Sequence, residues 1–443
     1  MSETPPDLTA IDHARQTVNR LFNAALDAVA PSRAVRSALS SRDGEVLVGD
    51  ARVSAPGGIY IVAVGKAAVR MTQGALDVLG SSVASGDVIT KEGHVDASLP
   101  SRIAVHEAGH PIPDDRGVQA TQCVLDNLAT LDENDVVLAL ISGGGSALLE
   151  APRRGVTLAE LATTTDLLLR AGAPIDALNA VRAPLSRVKA GGLRAAAPRA
   201  TWVTLILSDV LGNDPRVIAS GPTVPNPVDP ERALSLIERY GVRDEVPAAI
   251  LSAIERTERT PEAIDHERDV LLIIGDNAAA VDAAVAEARN LGLETRVVWS
   301  AVEGEAAELG RAFVAEAADA DHSVEALLGG GEATVTVRGD GNGGRNTEFA
   351  LAAALEMERR DMRDWVVASL ATDGQDAMTG LAGAIADGGT CLRSRANGVN
   401  PAAALARNDS AAVFEAAGGA VNTGPTGTNV NDLYIALRVT NSR

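Results

Sequence analysis

The sequence predicts an α/β fold made of two domains that face one cleft. Short apolar runs, typical of buried strands, alternate with stretches of helical periodicity, the pattern of parallel sheets covered by helices. The clearest run, residues 136–141 (VVLALI), passes directly into the loop SGGGS. A charged stretch punctuated by prolines, residues 226–268, separates the two halves. Domain bounds of 1–250 and 268–443 are therefore expected.

Individual elements follow from local patterns. Residues 9–29 repeat apolar positions at helical spacing, and this helix could pack on the other domain. Residues 157–171 form a second clear helix, with Thr157 and Glu160 at the spacing of a capping box. Residues 31–57 are polar and carry prolines, so no element is assigned there. Apolar runs predict strands at 59–64, 88–90, 103–105, 136–141, 203–207, 270–274, 295–299, 334–337, 366–370 and the C-terminal end.

The loop Ser142-Gly143-Gly144-Gly145-Ser146 is a candidate anion-binding site. Glycines let the backbone come close to a phosphate, and free N–H groups between a strand and a helix can donate to it. A glycine-rich turn between a strand and a helix is also common without any ligand. The local pattern alone leaves both interpretations open.

Lysine is nearly absent from the chain. It occurs only at Lys66, Lys91 and Lys189, and the other basic residues are arginines. All three lysines fall in loops that also carry glycine or histidine, where a compact ammonium can do what a planar guanidinium cannot. Lys66 comes just after a strand, which places it in the crevice where open α/β sheets bind ligands. A solvated lysine at a helix start is the alternative.

Composition excludes several classes of protein. The 443 residues are 46% hydrophobic and 22% charged, and no apolar run is long enough to span a bilayer, so a globular chain is expected. The net charge of −20 argues against nucleic acid or a membrane as partner. Two distant cysteines and a start without a secretory pattern favour the cytoplasm. The acidic balance fits a high-salt host and an ordinary acidic enzyme equally well.

Residues 106–115, HEAGHPIPDD, crowd Glu107 and His110 into one loop. The glycine and the prolines prevent a helix that would align the histidines on one metal ion. A loop that positions the substrate or a domain is therefore favoured over a metal site.

Together these loops contain the parts that phosphoryl transfer needs. The N–H donors would come from SGGGS and from a second triple glycine, GGGE at 329–332, while Arg345 joins Lys66 and Lys189 as a cation. Asp209 and Asp373 each follow a strand and could bind Mg²⁺, although turn and cap aspartates look the same. The chain lacks a P-loop and the protein-kinase motifs, and no GxGxxG follows its first strand.

Ten ordered strings, spread over nearly the whole chain, resemble the two-domain glycerate 2-kinase family, whose C-terminal module is named for its MOFRL motif. The strings are VGKAA (64–68), TKEGH (90–94), EAGHPIPD (107–114), ISGGGSALL (141–149), NAVRAPLSRVK (179–189), LSDVLGNDPRVIASGPT (207–223), GGGEATV (329–335), GGRNTEFAL (343–351), ATDGQDA (371–377) and TGPTGTNVNDL (423–433). Some members of this family are labelled hydroxypyruvate reductase, which is the rival interpretation. A non-catalytic protein that binds a sugar acid or a nucleotide is a third.

The resemblance implies a Rossmann-like parallel sheet in the N-terminal domain and a mixed sheet in the MOFRL-type domain. It implies ATP- and Mg²⁺-dependent phosphorylation of D-glycerate to 2-phosphoglycerate in the interdomain cleft, with a homodimer left open. The catalytic residues would be Lys66, Arg345 and Asp209, and Mg²⁺ would bind Asp209 and Asp373. Phosphate would bind the SGGGS loop and Lys189, and further cleft contacts would come from Glu107, His110, Asn213, Glu332 and Asn346.

Two departures from the family pattern are visible. Ala190 separates Lys189 from the glycines that usually follow it directly. Met378 and Gly380 stand in a segment that is often more acidic, so no role is assigned to that segment.

Overall fold

The computed structural model describes residues 8–42, 45–95, 97–259 and 267–439. The chain divides into two compact units. Pro31–Ile274 form one, called here the central unit; Met1–Ala30 and Gly275–Arg443 form the other, called the terminal unit. Every helix in the described part of the chain is too short or too polar to cross a membrane.

The terminal unit begins with helix α1 (Leu8–Ala28), and the central unit begins with α2 (Pro31–Ala38). A small antiparallel sheet follows, in the order β1 (Leu39–Arg42), β2 (Glu45–Val48) and β3 (Ala51–Ser54). No element was predicted in this segment, because its strands are short and only alternate residues, such as Val46 and Val48, are buried.

The main sheet of the central unit contains β4 (Gly58–Val64), β5 (Val83–Lys91), β6 (Ile103–Ala108), β7 (Asp135–Ile141), β8 (Thr201–Leu207) and β9 (Val270–Gly275). Across the sheet they lie in the order β6-β5-β4-β7-β8-β9. Counted along the chain this is 3-2-1-4-5-6, the doubly wound order of dinucleotide-binding sheets. The pairs β4–β5, β4–β7, β5–β6 and β7–β8 are parallel, which confirms the predicted Rossmann-like parallel sheet.

Both faces of this sheet are covered, so its central strands are apolar throughout. Residues 59–64, 136–141 and 202–207 are buried without a break. Of the further helices in this unit, α3 (Ala68–Leu79), α4 (Asp115–Leu128) and α5 (Gly145–Leu148) contact strands of this sheet. The others are α6 (Leu158–Arg170), α7 (Ile175–Arg182), α8 (Gly192–Ala195), α9 (Pro230–Arg239) and α10 (Ala248–Arg256), and α6, α7, α9 and α10 share an apolar cluster of their own. The capping box predicted for α6 is present, with Thr157 Oγ1 accepting from the Glu160 amide and the Glu160 carboxylate accepting from the Thr157 amide.

In the terminal unit, α1 packs against α11 (Asn277–Asn290) and against the last strand. The remaining helices are α12 (Ala306–Ala318), α13 (Arg345–Arg360), α14 (Thr390–Ala396), α15 (Pro401–Ala406) and α16 (Ser410–Ala417). The strands are β10 (Thr295–Glu305), β11 (Ala326–Thr334), β12 (Trp365–Ala371), β13 (Gly383–Asp387), β14 (Ala420–Val421) and β15 (Asp432–Arg438), in the order β10-β11-β15-β12-β13-β14. Only β10–β11 is parallel among the described pairs, which confirms the mixed sheet.

The second triple glycine does not form a loop. Gly329, Gly330 and Gly331 lie inside β11, between β10 and β15, so a strand lies where the sequence suggested an anion-binding turn. A Cβ on Gly330 would clash with the side chain of Asn277, and one on Gly331 would clash with the Val302 backbone. These glycines therefore serve close packing, and the expectation of N–H donors from GGGE is wrong.

Candidate functional site

The strand order of the main sheet reverses between β4 and β7, and the predicted site loops leave the sheet there. In such sheets ligands bind outside the carboxyl ends of the strands at this switch point. The loop after β4 contains Lys66 and the loop after β7 contains residues 142–146. The Lys66 amide donates to the Gly143 carbonyl oxygen at 2.9 Å, so the structure brings the two loops into direct contact.

Ser142 joins these two loops. It is buried, its amide donates to the Val64 carbonyl oxygen at 2.9 Å, and its hydroxyl oxygen accepts from the Ala67 amide at 3.1 Å. A Cβ on Gly65, whose φ is 122°, would clash with Ser142. The Ser142 hydroxyl therefore stabilises the neighbouring turn.

The glycine loop holds its backbone close to other candidate residues. A Cβ on Gly143 would clash with the Asp209 carboxylate, and one on Gly144, whose φ is 88°, would lie 3.0 Å from the His110 ring. Within the described residues, the amides of Gly143, Gly144 and Ser146 donate to no acceptor. Unpaired N–H groups in a loop that side chains cannot crowd suit an anionic ligand.

Positive charge surrounds the His110 ring. Burial, together with the charges of Lys66, Lys91 and His94, lowers the pKa of His110 from 6.5 to about 4. The imidazole is therefore neutral at neutral pH and can either donate or accept a hydrogen bond. No described residue forms an ion pair with the Lys66 ammonium. Glu107 accepts from the Gly93 amide at 2.8 Å and so anchors the loop of Lys91 and His94.

Lys189 lies behind the glycine loop. Its ammonium is buried, donates to the Ser146 carbonyl oxygen at 2.8 Å and pairs with the Glu150 carboxylate at 3.2 Å. Burial lowers the pKa of Lys189 to about 8, although Glu150 opposes the shift. The Lys189 ammonium thus stabilises the glycine loop through Ser146. The prediction that Lys189 binds phosphate directly stays a prediction.

Arg182 is a cation to which the sequence analysis gave no role. Its side chain is 19% exposed, and among the described residues its guanidinium reaches only long contacts, 3.4 Å to the Ser146 carbonyl oxygen and 3.9 Å to Glu150. Arginine is abundant in this chain, so composition offered no signal for it. Only its place in the string NAVRAPLSRVK could have drawn attention to it.

A cavity of about 520 Å³ opens beside the glycine loop. Gly144, Ser146, His110, Glu150 and Arg182 line one part of it, and apolar residues of α6 and of segment 111–113 line the rest. Asn213, by contrast, lies in the turn after β8 with a φ of 54°, and its amide donates to the Val210 carbonyl oxygen at 3.1 Å.

The terminal unit holds a second group of candidate residues. Arg345 begins α13 and donates to Glu332 Oε1 at 2.7 Å, and its Nε lies 2.7 Å from Asp432 Oδ2. Buried Asn346 donates to Asp432 Oδ1 at 3.0 Å. Asp432 was missed by the sequence analysis, since an aspartate at the start of a strand resembles an ordinary turn residue. The structure brings Arg345, Glu332 and Asn346 together around it.

Charge is balanced closely in this group. Burial raises the pKa of Asp432 to about 6, against the lowering effects of Arg345 and Asn346. The pKa of Arg345 rises above its usual value despite burial, because Asp432 and Glu332 hold its proton. Its side chain remains 31% exposed, and its guanidinium keeps N–H groups for a ligand.

Asp373 belongs to the loop after β12, where its carboxylate accepts from the Gln375 amide at 2.9 Å. Among the described residues, no three His, Cys, Asp or Glu side chains are grouped as a metal site. An all-protein metal cage is therefore not part of the described structure.

Two family models match the chain. Residues 17–255 match a family described as a domain of unknown function, DUF4147, and residues 325–432 match the MOFRL family.

Whole-length relatives point the same way. A D-glycerate 2-kinase of Thermotoga maritima is 39% identical over 94% of this chain and 96% of its own. A relative from Agrobacterium vitis is 38% identical over 96% of this chain and 94% of its own. Its name, hydroxypyruvate reductase, is a provisional assignment. The crystal structure of a Thermotoga maritima glycerate kinase superposes with a TM-score of 0.86 at 37% identity, covering 97% of this chain and 100% of that one.

Proposed function

The chain belongs to the glycerate kinase family represented by these relatives, and from this premise we propose that it transfers the γ-phosphoryl group of ATP to the 2-hydroxyl of D-glycerate. The observation that carries the proposal is the contact between Lys66 and the glycine loop at the switch point of the main sheet. A lysine without an ion-pair partner among the described residues, next to unpaired amides, suits a transferring phosphate.

In this proposal Lys66 and the amides of Gly143 and Gly144 stabilise the charge that develops on the γ-phosphoryl group. Neutral His110, beside Gly144, can donate a hydrogen bond to a phosphate oxygen. Arg345 binds the glycerate carboxylate with the N–H groups that Glu332 and Asp432 leave available. For the two domains we keep the bounds 1–250 and 268–443, except that helix α1 belongs to the terminal unit.

A kinase of this type would use Mg²⁺, which in such sites is held mainly by substrate phosphates and by one or two carboxylates. Asp209 fits that need, since its carboxylate lies against Gly143 of the glycine loop. Asp373 is the second candidate. The ion would offset charge on the phosphates, while Asp209 or Asp373 would accept the proton of the attacking hydroxyl.

The test is to incubate the full chain with D-glycerate, ATP and Mg²⁺ and to separate 2-phosphoglycerate from 3-phosphoglycerate. Formation of ADP with the 2-isomer is expected. NADH oxidation by hydroxypyruvate without ADP formation would instead establish the reductase. Binding of both ligands without turnover would indicate a sensor. Asp209→Asn and Asp373→Asn, titrated with Mg²⁺, would identify the carboxylate that binds the ion.

A cytoplasmic location and a homodimer complete the proposal. Light scattering of the purified chain gives its mass in solution, and the dependence of activity on salt distinguishes a high-salt enzyme from an ordinary acidic one.

A further inference from the structure

The cavity beside the glycine loop has two unlike walls. One wall is polar and is formed by Gly144, Ser146, His110, Glu150 and Arg182. The other comes from α6 and segment 111–113 and is mostly apolar, with Leu158, Ala162, Leu169 and Ile112 among its residues and Thr165 and Asp166 at its far end. Leu169 is 55% exposed and Ile112 is 71% exposed. A ligand that suits both walls needs an apolar body joined to an anionic end.

We propose that this cavity binds the nucleoside part of ATP, with the phosphate chain directed along Gly144, Ser146 and Arg182. The inference rests on the proposed function, because it assigns the donor of the phosphoryl group to a place in the central unit. Glycerate would then bind to the other candidate residues.

Size favours the nucleoside over glycerate. A volume of about 520 Å³ falls in the range of sites for drug-sized ligands. A three-carbon acid would leave most of it to water and would not contact the leucines of α6. A flat purine covers apolar surface and loses little conformational entropy when it does so.

Arg182 supplies the anionic end of the site. Its contacts to Ser146 and Glu150 are long, at 3.4 and 3.9 Å, so its guanidinium can turn to a phosphate at small cost. The negative charge of Glu150 is already offset, since its carboxylate pairs with Lys189 at 3.2 Å and accepts from Ser186 Oγ at 2.7 Å. The polar wall therefore favours an anion.

The far end of α6 offers hydrogen-bond acceptors. Thr165 Oγ1 donates to the Leu161 carbonyl oxygen at 2.8 Å, so its oxygen remains an acceptor. Asp166, paired with Arg170 at 2.9 Å, presents a carboxylate at the same wall. Acceptors suit the exocyclic amine of adenine, and a carboxylate there keeps phosphates at the opposite wall.

The experiment compares two phenylalanine substitutions on α6. Ala162→Phe fills the cavity from an exposed position, whereas Thr163→Phe adds similar bulk at an exposed neighbour that does not line it. Titration calorimetry with ATP should show a dissociation constant raised about tenfold or more in Ala162→Phe only. The KM for glycerate should stay within about twofold of that of the unaltered chain. Leu169→Ser, at a half-exposed rim position, should weaken ATP binding by a smaller factor.

The results separate this proposal from the function itself. If Ala162→Phe binds ATP as tightly as Thr163→Phe, or loses affinity for glycerate instead, the nucleoside site is wrong even when phosphorylation is normal. If the unaltered chain forms no phosphoglycerate but Ala162→Phe still weakens ATP binding, the site stands and the kinase proposal falls. Absence of ATP binding to the unaltered chain would overturn both.

Discussion

The Asp209 carboxylate occupies the space that a Cβ atom on Gly143 would need. The residues belong to turns after neighbouring strands, β7 and β8, so the order of the sheet brings them together. The missing side chain at Gly143 lets a carboxylate lie against a backbone that also offers unpaired amides. A site that handles a phosphate and its counter-ion needs both kinds of group within one turn.

Gly143→Ala should therefore displace Asp209 or the loop and lower kcat/KM by about 100-fold, the usual cost of a shift near 1 Å in a catalytic group. Steady-state kinetics with both substrates measures this. Gly329→Ala is the control, because its Cβ would meet only ordinary contacts with Trp299 at 3.4 Å and beyond. Equal activity of the two variants would show that the closeness of Gly143 and Asp209 has no part in the reaction.

Lys189→Met should destabilise the protein by about 3–5 kcal/mol, because it leaves Glu150 buried without its partner. Thermal unfolding of the variant would detect the loss. Adding Glu150→Gln removes the buried charge, so the double variant should unfold at a higher temperature than Lys189→Met alone. Equal melting temperatures for the single and the double variant would show that the Lys189–Glu150 pair does not contribute to stability.

Arg345→Ala should lower the rate of phosphorylation by about 100-fold or more, since it removes a charged donor and leaves the Glu332 and Asp432 carboxylates without a cation partner. Arg345→Lys keeps the charge but loses the forked geometry of the guanidinium. Its phosphorylation rate should lie between those of Arg345→Ala and the unaltered chain. A melting curve for each variant separates loss of rate from loss of fold. Turnover of Arg345→Ala near that of the unaltered chain would exclude this side chain from the mechanism.

His110 should make stability depend on pH in acid. Its pKa is lowered from 6.5 to about 4 in the folded chain, so between these values the unfolded chain binds more protons. Stability from this group is complete above pH 6.5 and is lost as pH falls towards 4. His110→Gln should flatten that part of the stability profile, measured by urea unfolding at several pH values. His322→Gln, at an exposed histidine, should leave the profile as it is.

The sequence predicted correctly those parts of the structure that neighbouring residues determine. Continuous apolar runs identified the strands of the main sheet, and a lysine directly after β4 could only lie at the carboxyl edge. Spacing also identified the cap of α6. These features need only neighbouring residues, so a single sequence contains them.

The rest depended on partners distant in the chain. GGGE looks like a phosphate loop until Asn277 and Val302 are known to press on its glycines. Asp432 and Arg182 have no unusual neighbours in sequence, and their importance comes from Arg345 and from the cavity wall respectively. Lys189 was identified as a notable lysine, but its burial against Glu150 could not be read from a string of letters.

Helix α1 is synthesised before α11 and β15, the partners on which it packs. During translation the terminal unit therefore stays incomplete until the last strand has emerged, whereas residues 31–274 can acquire their sheet earlier. Helix α1 must therefore stay exposed until these partners are made, with Leu21, Phe22 and Ala25 uncovered. A chaperone that binds short apolar segments would find its best target in α1, which emerges from the ribosome long before the partners that cover it.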